Sequence, residues 1–190
     1  MRCLNEELTK LISDNNNMAG FVPFLYSIGT HYKKKLRTIV EIGVRGGVST
    51  NAFLLGIRDR GHKNARLFSI DIADCSGVVQ DESLKNNWTF IQNDSKTLDW
   101  NREIDILLID GDHSYDGVKA DYEKYEPFVK DGGLILLHDV LWEKKGVPKF
   151  FWEEIGYPSS VLSLSPSGLG IVYKKKAPFY DADKFKDNIL

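Results

Sequence analysis

The sequence predicts an α/β fold: a doubly wound, mostly parallel seven-stranded sheet of Rossmann-like type, ending in an antiparallel carboxyl-terminal hairpin. Three observations carry this. Five short apolar runs, at residues 38–42, 66–70, 88–91, 104–109 and 134–137, alternate with polar helical segments, the pattern of a parallel sheet covered on both faces. The first run leads straight into a turn carrying Gly43, Gly46 and Gly47. Two later runs, at 160–164 and 170–173, are joined across Pro166, Ser167 and Gly168, a tight link suited to antiparallel neighbours.

The helices follow from the spacing of apolar residues. Residues 5–13 set Leu8, Leu11 and Ile12 at helical spacing before Asn15, Asn16 and Asn17, and a second helix spans 21 to about 36. A third begins near Ser49, after the glycines. Residues 115–128 set Val118, Tyr122 and Tyr125 on one face and turn Lys119, Asp121, Glu123 and Lys124 mostly away from it, and 147–155 form the last helix. The expected organisation is a helical segment over 1–37, one ligand-binding domain over 38–174 and a tail over 175–190, with no internal repeat.

Composition narrows the function. A chain of 190 residues with 42% hydrophobic content supports one buried core. Its 25 basic and 27 acidic residues leave a net charge of -2, without the positive field that nucleic acid binding requires. The lysine runs at 33–35 and 174–176 read as solvated faces. Cys3 and Cys75 are far apart and read as free thiols of a reducing compartment. Charges at Arg2, Glu6, Glu7, Lys10 and Asp14 interrupt any signal-peptide core, and the uncharged stretch 18–32 is shorter than the roughly 20 apolar residues of a membrane span. The expected location is the cytoplasm, with no membrane partner; a homo-oligomer is left open.

The glycine turn suits a nucleotide-like cofactor. Glycines let the backbone approach a ligand, and the helix that follows presents free N–H groups. A dinucleotide fingerprint requires a glycine where Arg45 stands. What remains is an E-x-G-x-x-x-G pattern with Glu41 able to hold an amino-bearing ligand, and S-adenosylmethionine carries both an amino group and a sulfonium. Asp71, ending the second run, suits a ribose diol. Asn93, Asp94 and Ser95 follow the third run and could read adenine, though they also suit an ordinary turn.

The fourth run ends in Asp110-Gly111-Asp112-His113 and the fifth in His138-Asp139. Neighbouring parallel strands would bring these groups into one cleft, where a divalent cation would neutralise them. The oxygens suit Mg2+, and a histidine ligand also admits Mn2+, Fe2+ or Zn2+. Two other readings stay open on these residues alone: a metal-dependent hydrolase or oxygenase, and a cofactor-binding protein without catalysis.

The strings E-I-G-V-R-G-G-V-S, L-I-D-G-D-H-S-Y-D-G-V-K-A-D and G-G-L-I-L-L-H-D-V together resemble the class I S-adenosylmethionine-dependent methyltransferases, nearest to the catechol-type and macrocin-type sugar O-methyltransferases. The resemblance covers about residues 38–173. It implies cofactor contacts at Glu41, Gly43, Gly46, Gly47, Ser49, Asp71, Asp94 and Asp110, and metal ligands at Asp110, His138 and Asp139. His138 stands where the family commonly has an acidic residue. The implied base is His113 or, as in some sugar-modifying members, Asp112. The implied substrate is a small-molecule or sugar hydroxyl, with recognition assigned to residues 1–36 and 142–149.

Overall fold

Period-two alternation along the strands builds two hydrophobic cores, one on each face of a single sheet. The computed structural model describes residues 6–13, 16–32 and 35–175. The strands are β1 (Thr38–Ile42), β2 (Arg66–Asp71), β3 (Trp88–Gln92), β4 (Ile104–Ile109), β5 (Val129–His138), β6 (Ser159–Leu162) and β7 (Leu169–Tyr173). They lie in the order β3-β2-β1-β4-β5-β7-β6. The first five are parallel, and β7 runs antiparallel to both β5 and β6.

Ile39, Leu67, Ile106, Leu108 and Leu136 face one core together with Leu8, Phe21, Leu25, Phe53 and Ile57. These last belong to, or border, helices α1 (Glu6–Ile12), α2 (Val22–His31) and α3 (Val48–Arg60). Val40, Phe68, Ile70, Leu107 and Ile135 point the other way, against Val118 and Tyr125 of α5 (Tyr115–Tyr125) and Phe150 and Phe151 of α6 (Val147–Glu154). The short α4 (Glu82–Lys85) is capped by Asp81, whose side chain accepts from the Ser83 amide. The amino-terminal helices are tied to the sheet domain through α3, where Arg58 forms a 2.8 Å ion pair with Glu7.

Four differences from the expected elements have physical reasons. The second helix stops at His31, well before Leu36, because Tyr32 turns to extended backbone. The fifth strand begins at Val129 and not near Leu134: Asp131, Gly132 and Gly133 look like a turn, yet Gly132 adopts φ +76° and carries the irregularity within the strand while pairing slips between Ile104 and Ile106. The helix over 115–128 tightens into a 3-10 turn at Glu126–Phe128, where Pro127 lacks an amide donor. The carboxyl-terminal pair is antiparallel as expected, but β7 inserts beside β5, so β6 alone forms that edge.

Cys3, Lys33, Lys34, Lys176 and the tail beyond 175 lie outside the described residues. Cys75 is a free, buried thiol. Among the described residues no helix is long and apolar enough to cross a membrane.

The topology sets the position of the site. The chain leaves β1 toward β2 on one side and later returns to place β4 on the other, so the switch point lies between β1 and β4, where open α/β sheets form their ligand crevice. Ile42 pairs with Ile70 and Ile109, and Ile109 with Leu137. The residues that follow these partners therefore emerge along one edge of the sheet.

Candidate active site

A cleft of about 470 Å³ opens at that edge. Its size suits a small-molecule cofactor. Gly43, Ser49, Asp71, Asp94, Asp110, Asp112, His113, His138 and Asp139 all line it. Glu41, Gly46 and Gly47 do not.

The glycine turn is built to bring β1 against β4. Gly43 has φ +87°, and a Cβ there would fall 2.2 Å from the Asp110 carbonyl oxygen, so only glycine lets the two strand ends meet. Gly47 caps α3 in the left-handed conformation, and Gly46 is exposed with open space around it. Asp71 holds the turn: Oδ2 accepts from the amides of Val44 at 2.7 Å and Arg45 at 3.2 Å, and Oδ1 from Ala73 at 2.9 Å. Burial pushes its carboxyl upward, but these amides outweigh burial and hold it below the ordinary carboxylate value.

Glu41 requires a correction. It is not at the cleft wall but fully buried, and its oxygens are taken by Ser49 Oγ at 2.5 Å, Thr50 Oγ1 at 2.7 Å and Ser69 Oγ at 2.6 Å. As the penultimate residue of β1 it points into the sheet's helix-covered face, beneath the start of α3. Burial raises its pKa to about 7 despite the three hydroxyl hydrogen bonds. Its work is to brace the turn from behind.

Asp94 is exposed at the cleft and accepts from the Lys96 amide at 2.9 Å. Behind it, Ser95 donates to buried Asp121 at 2.6 Å, and the Tyr125 hydroxyl donates to the Ser95 carbonyl. Helix α5 thus clamps the turn after β3.

The acidic and histidine groups converge, with roles redistributed. Ligand atoms of Asp110, His113 and Asp139 lie within 4.8 Å of one another. His138 falls outside this group. Its Nδ1 lies 2.8 Å from Asp110 Oδ1 and its Nε2 lies 3.0 Å from Ser167 Oγ, so both ring nitrogens are engaged. Burial lowers its pKa, but the hydrogen bond and charge of Asp110 outweigh burial and raise it. The same Nδ1 lies 3.5 Å from Asp139 Oδ1, so the buried ring stands between the two carboxylates and supports Asp110.

Asp139 sits at φ +65°, an unusual conformation for a residue other than glycine. It is 1% exposed. His113 Nδ1 and Lys145 Nζ both approach its Oδ2 at 2.6 Å, while Oδ1 has no hydrogen-bond partner. Burial pushes the carboxyl up, and His113, His138 and Lys145 together more than reverse this. Asp112 is committed elsewhere: Oδ1 accepts from the Ser114 amide and Oδ2 from Lys96 Nζ, each at 3.0 Å. These bonds hold its carboxyl at about 2, which disfavours it as a base.

The profile of the family described as "Methyltransferase domain" matches residues 40–140, from β1 through the residues just after β5. The chain belongs to this methyltransferase family. Its fold is that of the class I S-adenosylmethionine-dependent methyltransferases. The chain is similar in structure to the O-methyltransferase TomG of Streptomyces achromogenes, with TM-score 0.66 and 15% identity over 90% of each chain. A methyltransferase of Podospora anserina has TM-score 0.63 and 17% identity, over 90% of this chain and 89% of that one. For the methyltransferase MycE of the mycinamycin pathway the values are 0.63 and 19%, over 90% of this chain but 55% of that one. No curated protein matches the chain.

Several cleft residues of this methyltransferase were not legible in the motifs. Lys145 follows Asp139 by six residues in a loop, where a lysine pair reads as solvated. Ser167 arrives from the β6–β7 link. Asn16, Asn17 and Met18 reach the cleft from the amino-terminal segment, and Trp142 from the loop after β5; both lie in the stretches assigned to substrate recognition. Phe150 and Phe151 are core, and Trp152 is 62% exposed away from the cleft lining.

Proposed function

We propose that this methyltransferase acts on a hydroxyl oxygen of a small molecule or sugar, with a divalent cation, Mg2+ or Mn2+, held by Asp110 and Asp139. The observation that carries the reading is Oδ1 of Asp139, which accepts no hydrogen bond and has only His138 Nδ1 at 3.5 Å, buried beside Asp110 and His113 in the same cleft as Asp71 and the glycine turn. A buried carboxylate oxygen that accepts no hydrogen bond is costly, and Mg2+ is commonly held through one or two carboxylates. The neighbours add support. TomG was solved with S-adenosylmethionine, and MycE with Mg, S-adenosylhomocysteine and mycinamycin VI.

S-adenosylmethionine supplies, when bound, an electrophilic methyl carbon on a sulfonium that is already a good leaving group. The cation supplies positive charge that lowers the pKa of a neighbouring hydroxyl. The residues do the rest. Asp71 and the amides it orders, with Gly43, Ser49 and Asp94, bind and orient the cofactor. His113 Nδ1–H donates to Asp139 Oδ2, which fixes the tautomer and leaves Nε2 as proton acceptor for the substrate hydroxyl. His138 holds Asp110 from behind, through its contact with Ser167. Main-chain and side-chain alignment is the principal contribution to rate. The unpaired Cys75 suits a reducing compartment, and we place the enzyme in the cytoplasm.

The test is transfer of a labelled methyl group from S-adenosylmethionine across a panel of phenols, catechols and glycosides, with and without chelator. Oxygen-methylated product that disappears on chelation supports the reading. Product that persists in chelator removes the metal from it, and a product methylated at nitrogen or carbon removes the hydroxyl.

A further inference from the structure

The cleft holds a cation of its own. Lys145 is the ammonium nearest the buried carboxylate of Asp139, at 2.6 Å from Oδ2. Its side chain is a quarter exposed and lines the cleft. The same ammonium lies 4.3 Å from the centre of the Trp142 ring, which is itself 38% exposed. The loop between is short and internally bonded: the Trp142 amide donates to the Asp139 carbonyl, the Lys145 amide to the Trp142 carbonyl and the Gly146 amide to the His113 carbonyl.

We propose that Lys145 is the resident counter-ion of the carboxylate site, compensating Asp139 until a divalent ion binds, and that the ion displaces the ammonium from both Asp139 and Trp142. The proposal rests on the metal reading given above. Its reasoning is electrostatic. A carboxylate this deeply buried needs a positive partner. The ammonium meets only Oδ2, while Oδ1 has no hydrogen bond and only the His138 ring nitrogen at 3.5 Å, so one lysine and two imidazoles leave room for an ion at that oxygen. A divalent ion on Oδ1 would set like charges a few ångströms apart in a partly buried cleft, where repulsion is stronger than in water. Lysine has a flexible stem and a path to solvent, whereas Asp110 and Asp139 end rigid strands. The lysine is the part that yields. Its departure strips the cation from the exposed face of Trp142 and frees that indole for an acceptor.

Two titrations test this, on wild type, K145M, K145R, K144M and W142F. Free Mn2+ is followed by electron paramagnetic resonance, and tryptophan emission is followed with Mg2+. An exposed-to-partly-buried ion pair corresponds to an affinity gain of about fivefold for K145M, with K145R and the neighbouring K144M within about twofold of wild type. Mg2+ should shift wild-type emission, and the shift should be missing in W142F and K145M. Equal Mn2+ affinity in K145M and wild type overturns the proposal and leaves the metal reading standing. Tighter binding without any emission change overturns the displacement from Trp142. If no variant binds Mn2+, the metal reading falls and the proposal with it.

Discussion

Replacing Glu41 by glutamine should change how stability depends on pH more than it changes stability itself. The carboxyl is fully buried, and burial raises its pKa from 4.5 to about 7. Between those values the folded protein keeps a proton that the unfolded chain has lost. The associated stability is therefore fully present below the unfolded value, declines as pH rises through the window and is lost above about 7. At about 1.4 kcal/mol per pH unit the decline amounts to about 3 kcal/mol. Glutamine has nearly the same volume and cannot ionise, so its profile should lack this decline. Urea unfolding of both proteins from about pH 5 to about pH 8, followed by tryptophan emission, measures it. The stability difference between the two should move by about 3 kcal/mol across that range, in favour of the variant at higher pH. Parallel profiles would refute the reasoning and mean that the three hydroxyls keep Glu41 ionised throughout.

Three further outcomes follow from the same geometry. Asp71→Asn removes the anionic acceptor for three amides of the turn, and charge-assisted bonds of this kind correspond to roughly ten- to a hundredfold weaker S-adenosylhomocysteine binding by calorimetry; an unchanged Kd contradicts the role given to Asp71. Gly43→Ala forces a Cβ against the Asp110 carbonyl at a positive φ, costing about 3 kcal/mol or more and lowering Tm by roughly 10 °C, so an unaltered melting curve would argue against the close approach of β1 and β4. His113→Gln should slow turnover by about a hundredfold while Mn2+ affinity stays within about threefold, whereas Asp112→Asn should cost about threefold or less in turnover. If Asp112→Asn were the slower variant, the base would be misassigned.

Much of the fold was legible because burial on both faces makes parallel strands read as continuous apolar runs, and β1 to β4 fall where those runs do. The start of β5 was not, since Asp131-Gly132-Gly133 has the composition of a turn and stays in the sheet only through one glycine at positive φ. In the site, Asp110 and Asp139 were legible because they end neighbouring apolar strands. Glu41 misled because strand-end acids usually face the ligand; whether this one faces the cleft or the interior depends on Ser69, its partner across β1 and β2, and on Ser49 and Thr50, which meet it only after α3 folds back over the sheet. The placing of His138 depends on contacts of the same kind. Its second partner, Ser167, is 29 residues away in a loop whose position sequence does not specify. Lys145 carries no signature at all, since its contact depends on the left-handed turn at Asp139.

The most direct test of the account is a crystal structure with S-adenosylhomocysteine and Mn2+, with the ion located by its anomalous scattering. The account predicts one Mn2+ per chain bound by Asp110 and by Oδ1 of Asp139, with His138 still held by Ser167. An ion on His138, or well-occupied cofactor with no ion between the two carboxylates, would contradict it.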